Sequence, residues 1–229
     1  MTLIGTGIYP LNQAARLVGA QPRSVRRWLK GYGRTHKGQH VRSEPLWTTE
    51  FADEELPGDV VGFRDLIELR MVAAFSKQGV DLKIIRATAE AAREEYGNRY
   101  PLTLKRFRSD GRRIFAEAIA KVGEPHLIDL LRRQFVFSDI ITPSLYAGIE
   151  YEDEGARRWY PMGPRKKAIV LDPTIQFGTP VLAEAGIPTD TVYASYLAEG
   201  RDSKAVARIF DIPSKMVEMA VQFEQQLPA

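Results

Sequence analysis

The stretch Gln13–Lys30, reading QAARLVGAQPRSVRRWLK, constrains the fold more than any other part of this chain. It predicts two short helices joined by a tight turn at Gly19. Ala15 is small enough to let the helices approach closely, and Gly19 can take the left-handed turn conformation. Pro22 falls in the first turn of the second helix, where its missing N–H costs nothing. Val25, Leu29 and Tyr32 recur at i, i+4 and i+7 and, with Trp28, predict a buried stripe. That leaves Arg23, Arg27 and Lys30 along one outward face, with Ser24 and Arg26 beside it. A helix held by its apolar side and presenting cations on the other fits a duplex major groove. The plainer alternative is a solvated basic face on an ordinary helical hairpin.

Charge distribution favours the first reading. The net charge is only +3, from 32 basic and 29 acidic residues. Residues 1–43, however, hold Arg16, Arg23, Arg26, Arg27, Lys30, Arg34, Lys37 and Arg42 and no Asp or Glu; the first carboxylate is Glu44. A local cationic field of that kind attracts phosphate. After the basic helix, glycines flank the polar run from Gly31 to Arg42, which predicts a β-hairpin, a wing. Its Arg34, Lys37 and Arg42 would grip phosphates beside the duplex. His36 and His40 are four apart but have no third ligand nearby, so a metal site is not expected.

The chain has 229 residues, 44% of them hydrophobic, enough for two domains. There are no cysteines, which removes disulfides, thiolate catalysis and most structural zinc sites. Neither a signal peptide nor a membrane-spanning run is apparent, so a cytoplasmic location is expected. Residues 52–61 read as an acidic connecting loop broken by Pro57-Gly58. Phe63 to Gly79 and Asp81 to Tyr96 read as two helices, the second capped by Asp81. Their apolar surface exceeds what one small winged domain needs, which predicts a homodimer. Asp110-Gly111 between Leu102–Arg108 and Arg113–Glu117 predicts a β-hairpin. Residues 127–134 read as a helix. Further short strands at 146–152, 157–160 and 168–171 complete a small antiparallel sheet of four or five strands. From Thr189 three helices follow. Ala207, Asp211, Ile212, Val217 and Ala220 stand at almost the spacings of Ala15, Gly19, Ala20, Val25 and Trp28, a second helix-turn-helix-like unit. Its last helix carries Met216, Met219 and Phe223 with Lys215, Glu218 and Glu224, which suits protein contact better than phosphate.

Two resemblances cover most of the chain. Residues 9–97 resemble the winged helix-turn-helix of MerR-type regulators, through Ala14-Ala15…Gly19, Val25-Arg26-Arg27-Trp28 and Leu69-Arg70…Phe75 to Ile85. Residues 168–227 resemble an uncharacterised, homeodomain-like domain found in antitoxins of bacterial toxin–antitoxin pairs. The marks there are Ile169-Val170-Leu171-Asp172-Pro173, Phe177-Gly178-Thr179-Pro180-Val181-Leu182, Gly186-Ile187-Pro188-Thr189 and Leu197-Ala198-Glu199-Gly200. These resemblances imply a VapB-type antitoxin whose partner is a PIN-like ribonuclease toxin.

The expected fold class is α+β: an N-terminal winged helix-turn-helix with two further helices, a small central antiparallel sheet and a C-terminal three-helix unit. Residues 1–99 are expected to bind DNA and 100–229 to hold the toxin. The DNA-binding set is Arg23, Ser24, Arg26, Arg27, Lys30, Arg34, Lys37 and Arg42. The leading function is a non-enzymatic antitoxin and transcriptional autorepressor, needing no cofactor or metal. The alternative is a MerR-like regulator whose C-terminal half senses a small molecule. An enzyme fits poorly: Asp172, Glu184 and Asp190 could form a carboxylate group, but Asp172-Pro173 and Pro188-Thr189-Asp190 look like turn and helix-cap chemistry, His126 has no serine partner, and Gly5-Thr6-Gly7 lacks a dinucleotide-binding context.

Overall fold

The computed structural model describes residues 5–36, 39–54, 58–122 and 146–228, and within this range the side chains of residues 34–42 are not described. The chain forms two compact units. One comprises Pro10–Tyr146 with Asp153–Gly155; the other comprises the segment up to Tyr9, Ala147–Glu152 and Ala156 onward. The architecture is α+β, with small antiparallel sheets among the helices.

The N-terminal unit begins with α1 (Leu11–Val18) and α2 (Pro22–Lys30). Gly19 joins them in the left-handed region at φ 67°, and the Ala20 N–H closes the turn on the Ala15 carbonyl at 2.9 Å. Ala14, Ala15, Leu17, Val25, Trp28 and Leu29 are all buried, as the periodicity required. Tyr32 departs from expectation. It lies beyond α2, half-buried, at the start of a hairpin formed by Tyr32–His36 and Gln39–Ser43. The hairpin register runs from Tyr32↔Ser43 to His36↔Gln39, so the expected wing is present.

Next come α3 (Phe63–Lys77) and α4 (Leu82–Tyr96). Asp81 caps α4, accepting the Lys83 N–H at 2.7 Å. Helix α3 is buried on nearly every side, with Phe63, Leu66, Ile67, Leu69, Met71, Val72 and Phe75 inside, so it is the unit's central post.

The hairpin expected around Asp110-Gly111 does not form. A 3-10 turn at Pro101–Thr103 leads instead into a long helix, α5 (Phe107–Val122). Phe107, Gly111, Ile114, Phe115, Ala118 and Ile119 are its buried residues, a 3.6-residue period that outweighs the turn preference of one dipeptide. A mid-helix glycine costs about 1 kcal/mol, whereas each large apolar side chain fully buried contributes about 1.5–3 kcal/mol. Phe115 stacks on Phe75 of α3 with ring centroids 5.7 Å apart, and α5 packs along α4. The apolar surface that suggested a dimer is therefore covered, at least in this part, from within the chain.

In the C-terminal unit, Ile149–Glu152 and Gly155–Trp159 form one hairpin, and Ile169–Val170 pairs antiparallel with Val181–Leu182. Trp159 and Leu171 bridge the two ladders with reciprocal backbone bonds of 3.0 and 2.8 Å. The expected sheet thus exists in this smaller form, without strands from 102–117. The first described residues are tied to this unit: the Ile8 N–H donates to the Phe177 carbonyl at 2.9 Å and the Tyr9 hydroxyl to the Gly178 carbonyl at 2.8 Å. Three helices follow, α6 (Thr189–Ala198), α7 (Ser203–Phe210) and α8 (Ser214–Gln226), around Val192, Val206, Val217, Ala220 and Phe223. The helix expected at 127–134, and His126, lie outside the described residues.

Candidate nucleic-acid interface

Helix α2 is seated by more than its apolar stripe. The Leu46 N–H donates to the Trp28 carbonyl at the helix's end, 2.8 Å away. The segment that follows the wing is itself pinned: Arg86 of α4 donates to the Pro45 carbonyl at 2.8 Å, Arg93 to the Leu46 carbonyl at 3.1 Å. The Trp47 indole donates to the buried Asp65 carboxylate at 2.8 Å, which also accepts the Glu50 and Gly62 N–H groups at 2.9 Å each. Burial pushes the Asp65 carboxyl up, and these donors push it back. Gly31, at φ 70°, ends α2 where the chain passes so close to the wing that a Cβ would lie 2.1 Å from the Ser43 carbonyl oxygen. The end of the helix is thereby held by the wing and by a linker that α4 pins in place.

The face this leaves outward carries Arg23, Arg26, Arg27 and Lys30, all exposed, with Ser24 half-buried beside them. Arg27 is not free-standing: its guanidinium lies over the Tyr32 ring, 4.1 Å from the centroid, which limits its rotamers and leaves its edge available for hydrogen bonds. Arg34 and Arg42 lie in the wing strands, on the rungs Arg34↔Val41 and Gly33↔Arg42. Their side chains, and Lys37 altogether, lie outside the described residues.

One residue on this face was not foreseen. Asp59, from the acidic connecting segment, pairs with Arg26 at 3.2 Å and with Lys30 through a hydrogen bond. The first 43 residues are free of acid in sequence but not in space. The only sequence hint was the acidity of that segment, and nothing local says which cations it faces.

The C-terminal residues expected to form a carboxylate-bordered contact surface are arranged differently. Phe223 is buried, and Glu224 is buried too, accepting the Thr189 hydroxyl at 2.5 Å. Met216, Met219, Lys215 and Glu218 line a groove of about 670 Å³ with Met162, Arg165, Lys166, Lys167 and Glu184. Its charged lining is mainly cationic, because the 162–168 segment folds against α8. Asp172 accepts the Thr174 N–H at 2.9 Å and hydroxyl at 2.6 Å, and Asp190 accepts the Thr191 N–H at 2.6 Å. The first is the turn read from the sequence; the second is not the expected cap, because α6 starts after Pro188 with no side-chain cap and Asp190 lies inside its first turn. Among the described residues no three His, Cys, Asp or Glu side chains are grouped to hold a metal ion, and no helix is long and apolar enough to cross a membrane.

Comparison with known proteins bears on both parts of the chain. No curated protein matches it. The crystal structure of Rv2018 from Mycobacterium tuberculosis has a similar fold: it is 20% identical, the match covers 93% of this chain and 96% of that one, and the TM-score is 0.64. Residues 7–89 match a family described as "Putative DNA-binding HTH domain", a span that includes α1, α2, the wing and α3. The N-terminal part of this chain is therefore a helix-turn-helix DNA-binding domain.

Proposed function

We propose that this protein is an antitoxin that represses its own operon, binding operator DNA through α2 and the wing and silencing a PIN-like ribonuclease toxin through its C-terminal half. The observation that carries the DNA-contact assignment is the exposed cationic face of a firmly seated α2. Arg23, Ser24, Arg26, Arg27 and Lys30 enter the major groove, and Arg34, Lys37 and Arg42 of the wing meet phosphates alongside. Support for a protein partner comes from where apolar surface is left uncovered. Among the described residues the large exposed hydrophobics are Ile175, Phe177, Leu197 and Ile209, the last 58% exposed, and all four belong to the C-terminal unit. The resemblance of residues 168–227 to an antitoxin domain supplies the class of partner.

The groove beside α8 favours a second reading, a MerR-like regulator with a small-molecule sensor, because its volume lies in the range of ligand sites. One experiment separates the two. The full chain is co-expressed with its neighbouring reading frames and purified. A co-eluting small protein whose ribonuclease activity returns after separation supports the antitoxin. A chain that elutes alone, with a bound ligand found by mass spectrometry, overturns it in favour of the sensor.

A further inference from the structure

The cationic face of α2 contains one group that the proposed DNA contacts do not use. Arg26 and Lys30 are one helical turn apart, so a single carboxylate can meet both, and Asp59 does so. Its backbone is fixed at the entrance to α1, where the Asp59 carbonyl accepts the Leu11 N–H at 2.9 Å. The hydrogen bond from Lys30 and the nearby Arg26 hold the Asp59 carboxyl below the usual carboxylate range, so it is an anion whenever the protein meets DNA. The pairing is not what seats α2: Val25, Trp28 and Leu29 are buried, and Leu46 holds the Trp28 carbonyl. An exposed ion pair also adds little to stability. What it does alter is charge. Arg26, Lys30 and Asp59 sum to +1, where the two cations alone would present +2.

We propose that Asp59 is a built-in phosphate competitor: it occupies Arg26 and Lys30 in the free protein, so that these cations reach DNA only by leaving it, which restrains binding to non-operator duplex. This rests on the reading of α2 as the DNA-contacting helix. A duplex that offers phosphate alone must outbid a carboxylate already in place. A correct site, which adds base contacts to the rest of α2, meets the same cost with more to offset it.

The test uses the full-length protein and a random-sequence DNA duplex, followed by fluorescence anisotropy across a salt series. Uncovering one cation adds about 0.9 to the log–log salt slope, so Asp59→Asn should tighten binding about 5–10-fold near 0.1 M salt. In an Arg26→Ala/Lys30→Ala background the same change should matter less than about twofold, because the cations it competes for are gone. Melting temperatures of Asp59→Asn and the parent should coincide. Unchanged or weaker binding by Asp59→Asn overturns the proposal. So does an equal gain in both backgrounds, which would mean that the carboxylate simply repels the duplex. Arg23→Ala/Arg27→Ala serves as the control for the underlying reading. If that variant binds less tightly while Asp59→Asn is silent, only the competitor falls; if neither changes binding, the assignment of α2 falls with it.

Discussion

The α1–α2 and α7–α8 pairs use one turn for two different surfaces. In the first, the Ala20 N–H returns to the Ala15 carbonyl at 2.9 Å around left-handed Gly19; in the second, the Ile212 N–H returns to the Ala207 carbonyl at 3.0 Å around left-handed Asp211. Val25 and Val217 fill the same inward position, and both are fully buried. The outward faces share one cation, Lys215 standing where Arg23 does, and otherwise differ. Helix α2 shows Arg23, Arg26, Arg27 and Lys30, whereas α8 shows Lys215, Glu218, Gln222, Gln225 and Gln226. Apolar spacing and one turn residue determine the backbone, and the side chains that take no part in packing remain free to determine what it binds.

The largest test of that contrast is charge removal. Arg23→Ala/Arg27→Ala/Lys30→Ala should weaken DNA binding by about 100-fold or more near 0.1 M salt, since each lost phosphate contact lowers the salt slope by about 0.9. Lys215→Ala on α8 should leave it within about twofold. Gel shifts at several salt concentrations measure both, and equal effects would make the two units functionally alike.

A second test uses the buried glutamates, one in each unit. Glu68 of α3 is fully enclosed, with one oxygen weakly bonded to the Leu102 N–H at 3.3 Å, and burial pushes its carboxyl up to about 8 from 4.5. The folded state therefore keeps a proton that the unfolded chain releases. The stabilisation is complete below about pH 4.5 and is lost as the pH rises through about 8. Stabilisation on the order of 5 kcal/mol should disappear from the N-terminal unit over that window, and Glu68→Gln should flatten the profile. Urea titrations followed by tryptophan fluorescence would show it, with Trp28 and Trp47 both in this unit. A flat wild-type profile would contradict the assignment.

The glutamate of the C-terminal unit is hydrogen-bonded instead. Thr189→Val keeps the shape but removes the donor to Glu224, so it should cost about 1–2 kcal/mol in denaturant titrations. A silent substitution would show that water replaces the hydroxyl there. The smallest effect concerns the two turns. Gly19→Ala puts a side chain into the left-handed region and should cost about 1 kcal/mol. Asp211→Gly should stay within about 0.5 kcal/mol of the parent, because relief of the backbone is offset by a more flexible unfolded chain. If the two changes have the same effect, the turns are not equivalent.

The amino-acid sequence by itself determined both helix-turn-helix units, the wing, the Asp81 cap and the existence of short strands at 146–152, 157–160 and 168–171, though not their ends. Each depends on residues within a few positions of one another: an apolar period, a turn residue, a capping side chain. The α5 helix was also written there, in Phe107, Ile114, Phe115 and Ile119, but the neighbouring Asp110-Gly111 carried a stronger local turn signal, and only packing against α3 and α4 decides between them. Of the candidate site, the exposure of Arg23, Arg26, Arg27 and Lys30 was legible because a buried stripe implies an opposite face. Three facts were decided by the tertiary structure alone: Asp59 sits on Arg26 and Lys30, Arg27 lies over Tyr32, and Glu224 is inside rather than on the surface. Periodicity shows which side of a helix meets water. Which distant charge waits on that side depends on how the intervening chain closes, and no local pattern records that.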